Sequence, residues 1–106
     1  MKKTSRNSYE DSYIKFLRLK YKWEKETAVF SSITEISAHP AYQQIIKMGQ
    51  LAVPFILTEL KEKPGLWFSA LKTITGEDPV LLNQRGMLGE MTNAWLQWGK
   101  ENGYIE

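Results

Sequence analysis

The sequence predicts an all-α protein, a compact bundle of four to six helices that form one domain. Three observations predict it. Apolar residues recur at intervals of three and four over most of the 106-residue chain, which is the spacing of one helix face. Glycines and prolines fall between these segments and leave short connections. A composition of 42% hydrophobic and 25% charged residues is typical of a folded globular protein.

The first helix is predicted from about Asp11 to Phe30, a stretch without glycine or proline. Residues 1–8 are polar and are expected to be a disordered tip, so that the domain covers residues 9–106. The helix has a wide apolar face, which predicts an amphipathic helix. Its residues are a stripe of four aromatic side chains and three neighbours: Tyr13, Phe16, Trp23 and Phe30, with Ile14, Leu17 and Tyr21.

A serine and a histidine–proline pair mark the next two helices. Ser32 with Glu35 three residues later has the spacing of a capping box, which favours a short helix over a strand. His39 is held outside the helical region by Pro40, and the proline suits the first turn of a further helix. Gly49 ends that helix. Its apolar face is formed by Tyr42, Ile45 and Ile46.

Pro54 lies in the middle of the apolar run "MGQLAVPFILTEL". A proline inside a helix costs about 3 kcal/mol, but it costs little in the first turn, where its missing N–H is not needed. If Gly49 ends one helix, the next begins near Leu51, and Pro54 falls within or just past its first turn. We therefore expect one intact helix from about Leu51 to Glu62.

Two more helices complete the predicted bundle. A turn at Lys63-Pro64-Gly65 reverses the chain into a helix that Gly76 ends, with Trp67, Leu71 and Ile74 on one face. The stretch "LLNQRGMLGEMTNAWLQWGKENGY" forms the last helix. Its apolar stripe is formed by Leu88, Met91, Trp95 and Trp98. This spacing predicts that Trp95 is buried.

Two resemblances add to this prediction. Residues 48–75, which open "MGQLAVPFILTEL", resemble a HEAT-type helical hairpin. The phrases "HPAYQQIIKMG", "ALKTITGEDPV" and "AWLQWGKENGY" together resemble a group of short, uncharacterised bacterial proteins, over about residues 22–104. This resemblance implies a bacterial, cytoplasmic, all-helical domain, and it brings no activity, cofactor or catalytic residue. Small bacterial proteins of this kind often act with a neighbour-encoded partner, as antitoxins and immunity proteins do.

The composition gives few candidates for chemistry. The chain has no cysteine and one histidine, and it contains no phosphate-binding loop, dinucleotide fingerprint or metal-ligand spacing. His39 as a general base would need an orienting partner, for which Glu35 is one turn away. A structural role at the helix junction is the alternative. No apolar run approaches the roughly 20 residues that cross a bilayer. We therefore expect no catalysis, no cofactor, no metal and no membrane span.

The number of aromatic side chains is the most informative feature of the composition. A domain of this size cannot fully bury all of its rings, and tryptophan and tyrosine are favoured at interfaces. Either all rings line the core, or Trp98 or Trp67 forms an exposed patch with Tyr104. We predict that Trp98, Tyr104 and Ile105 lie together, partly exposed, and bind another protein or a second copy of this chain. In the competing arrangement, the C-terminal tail folds back and closes the core.

The charge distribution gives the alternative function. Residues 1–30 carry eight basic and four acidic residues, a net charge of +4, whereas the rest of the chain carries −2. Four basic residues lie between the apolar positions of the first helix: Lys15, Arg18, Lys22 and Lys25. A basic face of this kind attracts nucleic acid. The sequence thus predicts a non-catalytic protein-binding module (antitoxin, immunity or adaptor-like), with nucleic-acid binding as the alternative.

Overall fold

The computed structural model describes residues 8–62 and 66–106, and this part of the chain contains helices and no strand. The predicted all-α bundle of four to six helices is confirmed. The helices are α1 (Ser8–Thr27), α2 (Ile33–Ala38), α3 (Pro40–Lys47), α4 (Val53–Glu62), α5 (Trp67–Thr75) and α6 (Leu88–Glu101). Of the expected tip at residues 1–8, residues 1–7 lie outside the described residues, as does the expected turn at Lys63-Pro64-Gly65. Residue 8 belongs to α1.

Helix α1 begins and ends about three residues earlier than predicted, and its buried face is narrower than predicted. It ends at Thr27 rather than at Phe30, because Ser32 has the extended backbone of an N-cap and the chain must leave the helix before it. Phe16 is buried, whereas Tyr13 is 44% exposed. The helix packs mainly against α3 and the turn that follows α3, so its neighbours cover one line of side chains. Among the other predicted face residues, the exposed ones are Ile14, Tyr21 and Phe30.

The predicted start signals of α2 and α3 are confirmed. The Ser32 hydroxyl accepts a hydrogen bond from the backbone N–H of Glu35 at 3.4 Å, as an N-cap does. His39 Nδ1 accepts from the backbone N–H of Ala41 at 3.0 Å, and Pro40 is the first residue of α3. Gly49 follows α3 with a φ of +66°, a conformation that glycine adopts without the steric cost of a side chain.

Pro54 is the second residue of α4, so its predicted place in the first turn is confirmed. The helix begins at Val53 and not near Leu51, however, and Leu51 is exposed. A 3-10 turn occupies Gly49–Ala52, and the N–H of Val53 donates to the Gln50 carbonyl. Pro54 has no N–H with which to bond that carbonyl in an α-helical turn. The Gln50 carbonyl therefore accepts its hydrogen bond within the tighter 3-10 turn before the proline.

The last helix also begins later than predicted, because the stretch predicted for it opens at Leu81. Residues 82–84 form a separate 3-10 turn, and Gly86 has a φ of +84°, which breaks the chain away from a helix. Helix α6 therefore begins at Leu88, and Leu88 is exposed instead of lying in the core. Met91 is half-buried and Trp95 is fully buried, as predicted. Helix α5 ends at Gly76 as expected, with a φ of +72°.

Aromatic rings from three helices form the centre of the core. Trp67 of α5 lies with its ring centroid 4.9 Å from that of Trp23 and 5.8 Å from that of Tyr42. The Tyr42 hydroxyl donates to the Leu66 carbonyl at 2.6 Å and accepts from the Ala70 N–H at 3.0 Å. This one side chain therefore ties α3 to the first turn of α5.

Tyr42 predicts a loss of stability at alkaline pH. Burial raises the pKa of its hydroxyl to about 12, against about 10 in an unfolded chain. The folded state holds this proton more tightly, so its contribution is complete below pH 10 and is lost as the pH rises towards 12. The expected loss is about 2–3 kcal/mol of unfolding free energy.

Urea unfolding across this pH range checks the prediction, with Tyr42→Phe as the control. The variant keeps the ring but has no hydroxyl to ionise, so its stability should fall less. Equal losses in the two proteins would contradict the assignment to Tyr42.

Candidate partner-binding surface

The C-terminal tail folds back over the core. Gly103 has a φ of +78° and turns the chain after α6. The backbone N–H groups of Tyr104 and Ile105 then both donate to the Gly99 carbonyl, at 2.9 and 3.4 Å. Gly99 lets this contact form, since a Cβ there would lie 2.6 Å from Leu57 Cδ1 and 3.2 Å from Ile105 Cγ1. The tail therefore folds back as in the competing arrangement, but Tyr104 and Ile105 are not fully buried by it.

Gly99→Ala should destabilise the protein by about 1–3 kcal/mol, the usual cost of extra volume in a packed core. The fully buried Leu57 has little room to move away from the new methyl group. Gly89→Ala in the same helix is the matched control, because nothing lies within 4 Å of its added Cβ. The control should gain up to about 1 kcal/mol from helix propensity. Thermal or urea unfolding measures both, and equal shifts would show that Leu57 and Ile105 do not pack closely on Gly99.

The structure brings the three predicted partner-binding residues together. Trp98 and Tyr104 stack with ring centroids 5.4 Å apart and an interplanar angle of 17°. Both are half-buried, as is Ile105, and all three pack against the core. Trp67 is buried and has no part in a surface. The three residues thus have the geometry that we predicted, and their binding of a partner stays a prediction.

The tail also forms one wall of a groove whose other walls are the start of α1 and the start of α4. The groove has a volume of about 270 Å³ and includes Tyr9, Tyr13, Phe55, Tyr104 and Ile105. Tyr9 is 63% exposed, and the rings of Tyr9 and Tyr13 lie 5.3 and 5.1 Å from that of Phe55. We call the set Tyr9, Tyr13, Trp98, Tyr104 and Ile105 the tail surface.

Sequence reasoning missed Tyr9 because it was placed before the expected helix. The sequence feature that could have identified Tyr9 is its four-residue spacing to Tyr13, because this spacing places both tyrosines on one helix face. That spacing alone gives no distance to the C terminus. The position of Tyr9 in the same groove as the tail depends on the way the chain folds back after α6.

The basic residues of α1 do not form a continuous positive row. Lys15 and Arg18 are exposed, but Lys22 Nζ lies 2.9 Å from Glu26 Oε2. Lys25 Nζ lies 6.0 Å from the centroid of the Tyr21 ring, at the limit of a cation–π contact. The four predicted nucleic-acid-binding residues therefore share one helix, and at least one of them is neutralised by a carboxylate. Their binding of nucleic acid stays a prediction.

His39 uses both of its ring nitrogens in the fold. Because Nδ1 accepts from the Ala41 N–H, the proton is on Nε2, which lies 2.8 Å from Glu26 Oε1. The partner is thus Glu26 and not Glu35, because α1 packs beside the α2–α3 junction. Hydrogen bonds from Lys22 and then from His39 hold the pKa of the Glu26 carboxyl below its usual range. This arrangement fits the structural role of His39.

The described part of the chain holds no group of three or more histidine, cysteine or acidic side chains that could bind a metal ion. None of its helices is long and apolar enough to cross a membrane. Comparisons with protein-family models, with curated proteins and with solved structures find no match to this chain.

Proposed function

We propose that this chain is a non-catalytic protein-binding module that recognises another protein through the tail surface. The observation that carries the proposal is that several tyrosine rings stay exposed although they pack on the rings of Phe55 and Trp98. Tyr9 is 63% exposed and Tyr13 is 44% exposed although both rings contact that of Phe55, and Tyr104 is half-buried although it stacks on Trp98. Clusters of this composition on a surface are typical of contact sites.

The geometry of the tail surface favours binding in two ways. Its rings are already held by neighbouring rings, so little side-chain freedom is lost when a partner binds. Tyrosine also offers a large apolar face together with a hydroxyl that forms hydrogen bonds. We further propose that the protein acts in the bacterial cytoplasm, in the manner of an antitoxin, an immunity protein or an adaptor.

Site-specific photo-crosslinking tests the proposal. The photoreactive residue para-benzoylphenylalanine replaces Tyr9 in one variant and Tyr21 in the other, and both are expressed in the native host. Tyr21 is the matched control because it is 66% exposed on the same helix but points about 120° away. We expect one dominant protein adduct from position 9 and none from position 21. Equal adducts at both positions, or none at either, would contradict the proposal.

The captured protein is then purified and titrated against the intact chain by calorimetry. Tyr9→Ser and Tyr104→Ser should each weaken binding by about tenfold or more, which corresponds to at least 1.4 kcal/mol. Tyr21→Ser should leave it unchanged. If the adduct is a second copy of this chain, sedimentation should show a dimer that both tail-surface variants dissociate.

A further inference from the structure

The turn after α6 contains the one asparagine of the chain that a glycine follows. The chain has four asparagines, and of these only Asn102 precedes a glycine, Gly103. Asn102 is exposed and is the C-cap of α6. Because glycine has no side chain, nothing on that residue obstructs an approach of its backbone nitrogen to the Asn102 carboxamide.

The reaction open to such a pair is deamidation through a cyclic imide. The backbone nitrogen of Gly103 loses its proton to water and attacks Asn102 Cγ. The N–Cγ bond forms, the Cγ–Nδ2 bond breaks, and the amide nitrogen leaves as ammonia. Water then opens the imide: cleavage of the new N–Cγ bond gives aspartate, and cleavage of the original peptide bond gives isoaspartate. The sum consumes a water molecule and releases an ammonia molecule, and no atom changes its oxidation state.

The folded chain keeps these reacting atoms apart. Around the tetrahedral Cα, the nitrogen of the next residue lies over Cβ when ψ is about −120°. The ψ of Asn102 is 8°, so the Gly103 nitrogen lies on another side of the Cα–C bond. The Gly103 N–H donates to the Lys100 carbonyl at 3.2 Å, and Asn102 Nδ2 donates to the Trp98 carbonyl at 2.8 Å. Ring closure therefore requires a rotation about the Asn102 Cα–C bond, which takes the Gly103 N–H away from Lys100.

That rotation also detaches the C-terminal tail. Gly103 leads directly into the tail, whose Tyr104 and Ile105 N–H groups both donate to the Gly99 carbonyl. The side chains of Tyr104 and Ile105 pack against the core, so they leave it when the backbone before them rotates. Segments near a chain end open locally at a lower cost in free energy than the whole fold. The rate of deamidation is therefore set by how often the tail leaves Gly99.

Deamidation in turn opposes the return of the tail. The Trp98 carbonyl, which accepts from Asn102 Nδ2, lies in the last turn of α6, where the helix carries partial negative charge. A carboxylate at position 102 has no proton to donate and adds a negative charge there. Isoaspartate also lengthens the main chain between α6 and the tail, which shifts the Tyr104 N–H away from the Gly99 carbonyl.

We propose that Asn102 is a deamidation site, that the folded-back tail protects it, and that its conversion to aspartate or isoaspartate displaces the tail from the core. The conversion is one-way, because the ammonia is lost to the solvent. Openings of the tail thus lead to a permanent change in the surface that Tyr104 and Ile105 form. The proposal depends on the contacts of the tail and not on the proposed protein-binding function.

Peptide mapping by mass spectrometry measures the conversion in the intact chain during incubation in mildly alkaline buffer. The same chain in guanidinium chloride gives the unprotected rate. We expect Asn102 to convert at least about tenfold more slowly in the folded chain than in the unfolded one. Asn93 is the internal control, because it is equally exposed on α6 but precedes Ala94. It should convert more slowly than Asn102 in the unfolded chain.

Variants that loosen the tail sharpen the test. Ile105→Ser removes a side chain that packs against the core, and Gly99→Ala adds a methyl group 3.2 Å from Ile105 Cγ1. Each should raise the rate of Asn102 conversion in the folded chain by about fivefold or more. Gly89→Ala should leave it unchanged, since nothing lies within 4 Å of its added Cβ. Ile105 is half-buried, so its variant is expected to fold even if Gly99→Ala does not.

Asn102→Asp tests the effect on the tail without the wait for the reaction. Amide hydrogen exchange, followed in ¹⁵N spectra, reports the hydrogen bonds of the Tyr104 and Ile105 N–H groups. We expect both to exchange at least about fivefold faster in this variant than in the parent chain. Asn93→Asp makes the same change of charge at an exposed position of the same helix and should leave both exchange rates unchanged.

Four results would overturn the proposal. Two concern the parent chain: no conversion of Asn102 when the chain is unfolded, or equal conversion in the folded and unfolded states. The other two concern the variants: no acceleration by Ile105→Ser, or unchanged exchange of the Tyr104 and Ile105 N–H groups in Asn102→Asp. None of these measurements involves a partner, so failure here is distinct from failure of the proposed function.

Discussion

Trp95→Ala should lower the free energy of unfolding by about 3–5 kcal/mol, the usual range for removal of a large buried aromatic side chain. Trp95 is fully buried in the core, and its ring meets that of Trp98 edge-on at 5.3 Å. The substitution leaves a cavity that the packed surroundings fill only in part. Because a domain of this size has a total stability of about 5–15 kcal/mol, the variant should unfold at much lower urea concentration.

Trp98→Ala is the control for this prediction. It removes the same side chain from the same helix at a half-buried position, so its cost should be clearly smaller. A loss below about 1 kcal/mol for Trp95→Ala, the mean effect of any substitution, would show that α6 turns a different face to the core.

Tyr42→Ala should be comparably damaging, at about 3–5 kcal/mol or more. The side chain is fully buried. Its ring stacks on that of Trp67 with centroids 5.8 Å apart and lies tilted against that of Trp23 with centroids 5.1 Å apart. Its removal also leaves the Leu66 carbonyl and the Ala70 N–H without the hydroxyl that they share. The two losses add, since one is a packing term and the other is a desolvation term.

Tyr42→Phe separates these two terms. It keeps the ring in place and removes only the hydroxyl, so it should cost about 1–3 kcal/mol. Urea unfolding of both variants gives the difference. If Tyr42→Phe is as stable as the parent protein, the hydroxyl bonds across α3 and α5 contribute nothing, and the link between these helices is apolar only.

The local sequence was sufficient to predict most helix ends. Ser32, Pro40 and Gly76 act through hydrogen bonds and backbone angles within about four residues, so their effect does not depend on the rest of the fold. Pro54 shows the limit of this reasoning. The sequence placed it correctly in a first turn, but the 3-10 turn before it moved the start of α4 by two residues.

The exposure of each helix face was decided by its neighbours. The apolar spacing of α1 placed Tyr13 and Phe16 on the same predicted face, yet Tyr13 is 44% exposed and Phe16 is buried. Periodicity gives the direction in which a side chain points around the axis of its own helix. It contains no information on how wide a face of that helix the neighbouring helices cover. The same limit explains why Leu88 is exposed although it belongs to the stripe of Trp95.

The sequence by itself determined that this chain is a helical bundle, where most of its helices begin and end, and that Trp95 lies in the core. Only the tertiary structure decided that the tail folds back on Gly99, that Tyr9 lines one groove with Tyr104 and Ile105, and that Asp78, Lys72 and Arg85 line one cleft with Trp95. The reason is range. Caps and periodicity act between residues a few positions apart in one helix, whereas the tail surface and this cleft each combine residues from separate segments of the chain.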